Sequence, residues 1–591
     1  MPTGRIKTSV MDAIKAILPR GCLYDPNNPD SEIVPNWEIP PAMPTDVFAV
    51  AAHLIYQSGL LNYFDPNPDM KADQNLPCSF TLAVEEKEIL VNLGRAWAKD
   101  ALAVRQEIDE YWECLLKWEE DALRASLYEK DNYPPLWWKA AISLLIIADE
   151  ACAGVGLTAN EDYWVAFFFY DRYTKSFGLD DKDGHKAERP SPSLTLICSD
   201  DVACILPKLR ISDVGCTLRN LSKNLSYNPG AGTVRCHWQQ PNAKPASDDS
   251  GFLKILLCPL PLEIDHTCFY PDSATKDVKD KWGNFILEQK WLNNENAVCI
   301  EIEKALISAK EIDGGQTVSA VMLPEYSITY NLFVKICKSL KLIEPGLEFL
   351  IAGSSTNCEQ EKGNFVLTAA WYDEGETYIL TSRRKHHRWK LDRQQLKSYG
   401  IETKLPPNKD WWEKHDIRQR ELHFFQFREN SVFTSLICED LARSDPCHEI
   451  LRSVGPNLMF ALLMDGPQLS VRWPGRYTAT LTDDPGTSIL TLTSFGLVKR
   501  ANEVVKKEDE ILKGEGKEEK LEKVSRSVAF WKNQASSDDP NSGEEKPLEL
   551  KDDAYAILLT LHAETKHDST IDGRKKENKI WQYNKHESIS I

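Results

Sequence analysis

Val318-Ser-Ala-Val-Met-Leu-Pro-Glu-Tyr326 decides how the second half of this 591-residue chain is read. A short apolar run containing valines reads as a buried strand. Pro324 has no N–H with which to extend a ladder and fixes the local turn, so Glu325 falls at the strand's end. Two later stretches are built the same way. Tyr378-Ile-Leu-Thr-Ser382 runs into Arg383-Arg-Lys-His-His387, and Val432-Phe-Thr-Ser-Leu-Ile437 runs into Cys438-Glu439-Asp440. A carboxylate, an ammonium and a thiol therefore stand at or beside three strand ends, where α/β sheets place their chemistry. Together they are a general base, a cation for an oxyanion and a nucleophile, the set that attacks an amide or nitrile carbon.

Working outward, the chain alternates strand and helix from Phe252 onward. Strands are expected at 252–259, 318–323, 348–353, 365–371, 378–382, 432–438, 458–464 and 489–494, with helices at 295–312, 329–340 and 448–454. That rhythm predicts an α/β sheet domain. Val524–Trp531 and Tyr555–His562 read as further strands, the second closing the sheet.

Taken singly, each site residue has an ordinary meaning. Cys438 alone is one of 15 cysteines and reads as a core thiol, Glu325 as a solvated loop carboxylate, and Lys385 as part of a basic surface turn. Their joint order and strand-end settings argue otherwise. In that order and setting the chain resembles the nitrilase superfamily, the carbon–nitrogen hydrolases, over about residues 252–562. Leu323-Pro-Glu-Tyr326 matches the family's Pro-Glu motif, Lys385-His-His387 its lysine motif, and Ile437-Cys-Glu-Asp440 its cysteine motif in a form similar to the glutaminase branch. Gly455-Pro-Asn-Leu-Met-Phe460 fits the strand after the nucleophile helix.

The resemblance implies an α-β-β-α sandwich and a thiol-dependent hydrolase of a non-peptide C–N bond, with no metal or organic cofactor. It assigns Cys438 as nucleophile, Glu325 as base and Lys385 with the Glu439 N–H as oxyanion donors. A second glutamate that orients the lysine is Glu413, 25 residues before Cys438, in preference to Glu402 or Glu421. Trp473 and Arg476 lie where the family shapes its substrate pocket. The interval from Lys385 to Cys438 is longer than is typical, which implies an insertion over the site. The arginines Arg383, Arg384 and Arg388 point either to an anionic substrate or partner or to a solvated basic face. A homodimer or larger oligomer is implied, acting on a small amide or nitrile. Two other readings stand beside it: a glutaminase-type ammonia donor to a partner, and an assembly module in a bacterial defence system. The Lys-His-His and Trp-Trp-Glu stretches are also similar to nitrilase domains associated with bacterial reverse transcriptases in phage defence.

The first 240 residues carry no such motif. Residues 1–180 read as a mainly helical domain: a short helix near Met11–Leu18, a helix capped by Thr45-Asp46, apolar steps of three and four across Val84–Leu127, and helices at 137–153 and 163–173. A protein partner is expected to dock on this domain, if anywhere. A polar linker at 180–192 precedes a small strand-rich segment, 190–245, with strands at Leu194–Cys198, Val202–Leu206 and Thr233–Trp238, and a polar break at 242–249. Within the catalytic domain, 252–565, a charged insertion is expected at 499–545, and 566–591 reads as a C-terminal tail. Ser199-Asp-Asp201 reads as a polar hairpin turn.

Composition bounds the rest. The hydrophobic content of 42% and charged content of 27% describe a globular chain of two or three domains. A net charge of −19 disfavours direct nucleic-acid binding, which needs clustered cations. The longest apolar run, Ala140–Ala148, is too short for a membrane span, and the N-terminal segment has no signal-peptide core. Cysteines without a Cys-x-x-Cys pair fit free thiols in a reducing cytoplasm.

Overall fold

Apolar runs bounded by polar turns can become strands when both faces are covered, and that is their fate here. The computed structural model describes residues 8–23, 34–66, 80–119, 123–124, 135–157, 193–212, 214–229, 234–240, 251–272, 281–371, 377–514, 524–535 and 543–591. The helix expected at 163–173, the linker at 180–192 and the break at 242–249 lie outside them. The chain divides into two compact units. The first holds Met1–Trp238, Glu449–Gly455 and His567–Asn578; the second holds Gln239–His448, Pro456–Lys566 and Lys579–Ile591.

In the first unit, helices α1 (Val10–Ile17), α2 (Pro44–Ser58), α3 (Val84–Lys99), α4 (Arg105–Leu116) and α5 (Leu136–Ala151) precede β1 (Ala203–Pro207), the one-turn α6 (Leu218–Leu221), β2 (Leu225–Pro229) and β3 (Arg235–Gln239). Helix α5 is apolar nearly all round and is buried against α2, α3 and α4. The acids that end its apolar run are buried too. Asp149 accepts the backbone N–H groups of Lys223, Asn224 and Leu225, and both Asp149 and Glu150 pair with Arg574. Buried charge is tolerated when it is paired and hydrogen-bonded in this way.

Two expectations are corrected here. Leu194–Cys198 is not a strand, because the N–H groups of Leu196, Ile197 and Cys198 all turn onto one oxygen of buried Asp46 and leave no ladder to form. For the same reason Asp46 is not the cap of α2. That helix starts at Pro44, and the Asp46 carboxylate closes the 196–198 turn instead.

The second unit contains two large sheets. The first has the order β10-β9-β8-β7-β4-β19-β20, from β10 (Tyr378–Arg384), β9 (Lys362–Trp371), β8 (Phe349–Thr356), β7 (Ala320–Met322), β4 (Phe252–Leu257), β19 (Ala556–Ser569) and β20 (Lys575–Ile589). Strands β4, β7 and β8 are parallel, and the flanking pairings with β9 and β19 are antiparallel. The second runs β18-β17-β16-β15-β14-β13, from β18 (Glu545–Glu549), β17 (Ser527–Lys532), β16 (Ser488–Thr493), β15 (Leu458–Leu463), β14 (Ser431–Ile437) and β13 (Glu421–Arg428). Strands β14, β15 and β16 are parallel. The sheets meet through aromatic rings: Phe349 on β8 lies 4.5 Å from Phe433 on β14 and 5.8 Å from Phe460 on β15, centroid to centroid.

Helices α7 (Glu295–Ile312) and α8 (Tyr330–Ile343) cover the first sheet, sharing one apolar cluster with Leu256 and Leu350. Helices α12 (Trp473–Asp483) and α13 (Phe495–Gly514) pack on β16 and β17 of the second. This is the α-β-β-α sandwich that the resemblance implies. The charged stretch from Lys499 is continuous with α13 as far as Gly514, so its first part is an element of the sandwich. Residues 566–591 are likewise no tail. They finish β19 and form β20, where Ile580 and Trp581 are buried among charged neighbours that hide the apolar positions in the sequence.

A third, smaller sheet is built partly from the long interval between Lys385 and Cys438 and partly from residues 269–287, which precede Glu325. Strands β11 (Lys390–Leu391), β12 (Asp410–Glu413), β6 (Trp282–Leu287) and β5 (Phe269–Pro271) pair in that order, with the short helix α9 (Arg393–Ser398) between β11 and β12. Trp389, Trp411, Phe269 and Phe285 make its core. Its effect is to carry Glu413 to the end of β10. Two short helices, α10 (Glu439–Ala442) and α11 (His448–Val454), follow β14. Among the described residues no helix is long and apolar enough to cross a membrane.

Candidate active site

Glu325 is delivered by β7 and held by the turn that follows it. Gly353 on β8 donates its N–H to Pro324 O at 3.1 Å, and a Cβ at Gly353 would stand 2.4 Å from Glu325 Cα. Only glycine permits that approach. Tyr326 has φ +57°, an uncommon state for a bulky residue. It is held there by Gln289, whose side-chain amide donates to the carbonyls of Tyr326 and Ile328, while Trp291 donates to Ser327 O.

Lys385 follows the last residue of β10, and Glu413 is the last residue of β12. The Lys385 ammonium, fully buried, donates to Glu325 Oε1 and to Glu413 Oε2, both at 2.8 Å. Asn364 Nδ2 donates to Oε1 of both carboxylates at 2.7 Å. Glu413 also accepts the Tyr326 hydroxyl on Oε1 at 2.8 Å and the Trp389 N–H on Oε2 at 2.9 Å. Of the three glutamates considered for the lysine's second partner, Glu413 is the one whose carboxylate bonds to it; Glu421 lies beside His423, and Glu402 is half-buried in the turn after α9. The second oxygen of Glu325, buried, has no hydrogen-bond partner among the described residues.

Two carboxylates facing one ammonium in a dry site set the electrostatics. Burial pushes the Glu325 carboxyl up; the Lys385 ammonium pulls it down, and Glu413 adds to the upward push. For Glu413 burial opposes the charge, but Lys385 and the Trp389 N–H hold its carboxyl low. Burial also opposes the charge on Lys385, yet the two carboxylates hold its ammonium well above its ordinary value. The carboxyl pKa values are thus driven apart, an arrangement that suits one to proton transfer and the other to charge pairing.

Cys438 stands at the end of β14 with φ +43° and ψ −108°, and its N–H donates to Leu462 O at 2.8 Å. Strained backbone of this kind must be imposed by its surroundings. Burial raises the thiol pKa well above the ordinary value and Glu325 adds to this, while Lys385 works in the opposite direction. A free ammonium next to the thiol would favour the thiolate. In the closed site the Lys385 charge is committed to two carboxylates, and desolvation of the thiol prevails.

Behind the nucleophile, Asp440 accepts the backbone N–H groups of His386 and His387 and pairs with Arg383. His386 lies 3.2 Å from the Cys447 thiol, but burial pushes the imidazole down to about 4 and the thiol up to about 12, so both are neutral. The basic cluster is graded: Arg383 is buried, Arg384 is half-buried and Arg388 is exposed, and each is engaged with protein partners. Arg383 donates to Ser435 O and Arg384 O, Arg384 pairs with Glu361, and Arg388 donates twice to His415 O.

The remaining predicted residues lie apart from the carboxylate–lysine bonds. Glu439 opens α10 and pairs its carboxylate with Arg443; the backbone N–H expected to serve the oxyanion belongs to its peptide link with Cys438. Trp473 is half-buried at the start of α12 with its ring 6.3 Å from Tyr477, and exposed Arg476 donates to Val471 O within its own turn. Arg472 instead reaches Asp465, which also accepts the Tyr399 hydroxyl at 2.6 Å. Asn364, Tyr326 and His415 are the site residues that pattern-reading missed. A single buried asparagine opening the apolar strand β9 was the available signal for the first. A cavity of about 570 Å³ lined by Glu263, Ile264, Cys268, Trp291, Lys499 and Arg500 among others includes none of the four catalytic candidates.

No protein-family model and no curated protein matches this chain. Solved structures do. A glutamine-dependent NAD+ synthetase from Acinetobacter baumannii is 13% identical with a TM-score of 0.29, covering 57% of this chain and 48% of that one. Nit3 from Saccharomyces cerevisiae, a member of branch 10 of the nitrilase superfamily, is 11% identical with a TM-score of 0.24, covering 41% and 76%. A carbon–nitrogen hydrolase from Helicobacter pylori is 10% identical with a TM-score of 0.23, covering 39% and 75%. The structural neighbours thus include nitrilase-superfamily and carbon–nitrogen hydrolase proteins. This chain spans about half the length of the synthetase.

Proposed function

We propose that this protein is a carbon–nitrogen hydrolase that acts on a non-peptide amide or nitrile through Cys438, Glu325, Lys385 and Glu413. The observation that carries this reading is the buried Lys385 ammonium bridging Glu325 and Glu413 at 2.8 Å, with the strained strand-end Cys438 tied to the lysine's strand end through Asp440, which accepts the His386 and His387 N–H groups.

For an amide, the Cys438 S–H proton passes to the unpaired oxygen of Glu325 as sulfur attacks the carbonyl carbon. The oxyanion is held by Lys385, two of whose three N–H groups are already committed, and by the Glu439 N–H. Protonated Glu325 then gives its proton to the departing nitrogen, leaving a thioester on Cys438. Glu325 next takes a proton from water as the hydroxide attacks the thioester carbon, and it returns that proton to the departing Cys438 sulfur, so the acid leaves and the thiol and carboxylate are restored. Glu413 fixes the lysine and remains ionised throughout. A raised Glu325 carboxyl suits this double duty, because it lies nearer the working pH than an ordinary glutamate. The test is a screen of primary amides, glutamine and nitriles with wild type and Cys438→Ala. Turnover should depend on Cys438, and equal turnover by a clean Cys438→Ala preparation would remove the proposal.

A further inference from the structure

Beside the bridged carboxylates lies a residue that this mechanism does not use. The His415 side chain has no solvent exposure, and its Nδ1 is 3.6 Å from Glu413 Oε1, beyond hydrogen-bond reach. Among the described residues neither ring nitrogen has a hydrogen-bond partner. A buried polar group normally finds one, and a neutral imidazole offers one donor and one acceptor. Its backbone does not share this freedom: the His415 carbonyl is clamped by two bonds from Arg388, at 3.1 and 3.2 Å. The backbone that carries the ring is thus anchored, while both polar atoms of the ring stay unmet among the described residues. It is not the only such group. Glu325 Oε2 and Asn364 Oδ1 are buried and unpartnered as well, and they belong to the residues that bond Lys385 and Glu413.

The charges around the ring indicate what it can receive. Glu413 and Asp440 act on it from one sign, and Lys385 and Arg388 from the other. Lys385 is shared between two carboxylates, leaving their cluster one charge negative, and the arginines nearby are engaged with backbone and acidic partners. Among the described residues no cation beside the ring is left without an anionic or backbone partner to receive an anionic substituent, and the third N–H of Lys385 serves the oxyanion. We propose, on the hydrolase reading given above, that His415 is a substrate-binding residue that holds an uncharged hydrogen-bonding group of the substrate beside the Glu413–Lys385 pair. It is a specificity residue, since a ligand group that cannot bond to it leaves buried polar atoms unmet.

The test uses two alkylating probes of similar size, neutral iodoacetamide and anionic iodoacetate, on the full chain, with the modified cysteines mapped by mass. Cys438 of the wild type should react faster with iodoacetamide, by about tenfold or more beyond the ratio for the exposed thiol Cys358 of the same chain, in keeping with the selectivity of sites built to hydrogen-bond a ligand. In His415→Leu that excess should collapse towards the Cys358 ratio, and in His415→Gln, which keeps a donor and an acceptor, a large part should return. Cys438 that is reactive and selective to the same degree in all three proteins overturns the role of His415 alone. Equal loss of selectivity in His415→Leu and His415→Gln assigns the ring to packing and also overturns it. Cys438 that reacts with neither probe in the wild type removes the hydrolase reading beneath it, and the proposal falls with it.

Discussion

Asp440 accepts the backbone N–H of His386 at 3.0 Å, so the residue two places after the nucleophile fixes the one immediately after the lysine. The same carboxylate takes the His387 N–H and faces Arg383. Two strand ends distant in sequence are thereby locked in one register, and the relative position of thiol and ammonium does not rest on the side chains that react.

Asp440→Ala should therefore be severe for a residue that touches no substrate. Removing one member of a buried charged pair costs about 3–5 kcal/mol, readable by urea unfolding at pH 7. Burial opposes the Asp440 charge, but the neighbouring histidines and Arg383 hold its carboxyl well below the ordinary value. A depressed carboxyl stabilises the fold above the unfolded value of about 3.9, and this is lost as pH falls towards the folded one. The gap between wild type and variant should narrow in acid, and a pH-independent gap would refute the charge-based account.

Strain at Cys438 can be measured against its own chemistry. At φ +43° a Cβ is disfavoured, so Cys438→Gly should be more stable than Cys438→Ala by about 1 kcal/mol, the reverse of the order in a helix or strand interior. Both should lack turnover. Calorimetric melting of the two variants decides it, and a more stable alanine would show that the backbone at 438 is unstrained.

Glu413→Gln removes the lysine's second anion. Turnover should fall by on the order of 10²-fold, the scale seen for loss of one preorganised electrostatic partner. The acid limb of kcat/KM, set by Glu325, should lie above the ordinary glutamate value of about 4.3 in wild type. It should move to lower pH in the variant, because one neighbour that raises Glu325 is gone. A limb that moves up or stays fixed would mean that another group controls it.

Tyr326→Phe deletes a single hydroxyl that donates to Glu413 Oε1. Stability should change by about 1 kcal/mol and kcat by roughly tenfold, since Asn364 and Lys385 still hold that carboxylate. Unfolding and single-turnover measurements on the same preparation separate the two effects.

Much of this was legible in the residues because the signals were strong. Helix α7 occupies 295–312 as its pattern predicts, and the strands carrying Glu325, Lys385 and Cys438 end where apolar runs give way to turns. What escaped has physical causes. Asp46 gathers three N–H groups from a segment with strand-like composition, a tertiary contact that overrides local propensity. In β20 the lysines and glutamates that flank Ile580 and Trp581 conceal a half-buried alternation. His415 follows Glu413 by two residues at the end of a short strand, and nothing in the sequence distinguishes a buried imidazole from a wet one.

Gly353 brings the β8 backbone against the Pro324–Glu325 turn so closely that a methyl group would overlap it. This residue has no reactive group, no charge and no side chain, yet the reach of the base depends on it. Attempts to widen the substrate range by recarving this strand will meet a fixed wall there, because any larger residue displaces Glu325 before it touches a substrate. Room for change lies instead in those parts of the small third sheet that are remote from Trp389 and Glu413, the two residues through which that sheet holds the lysine.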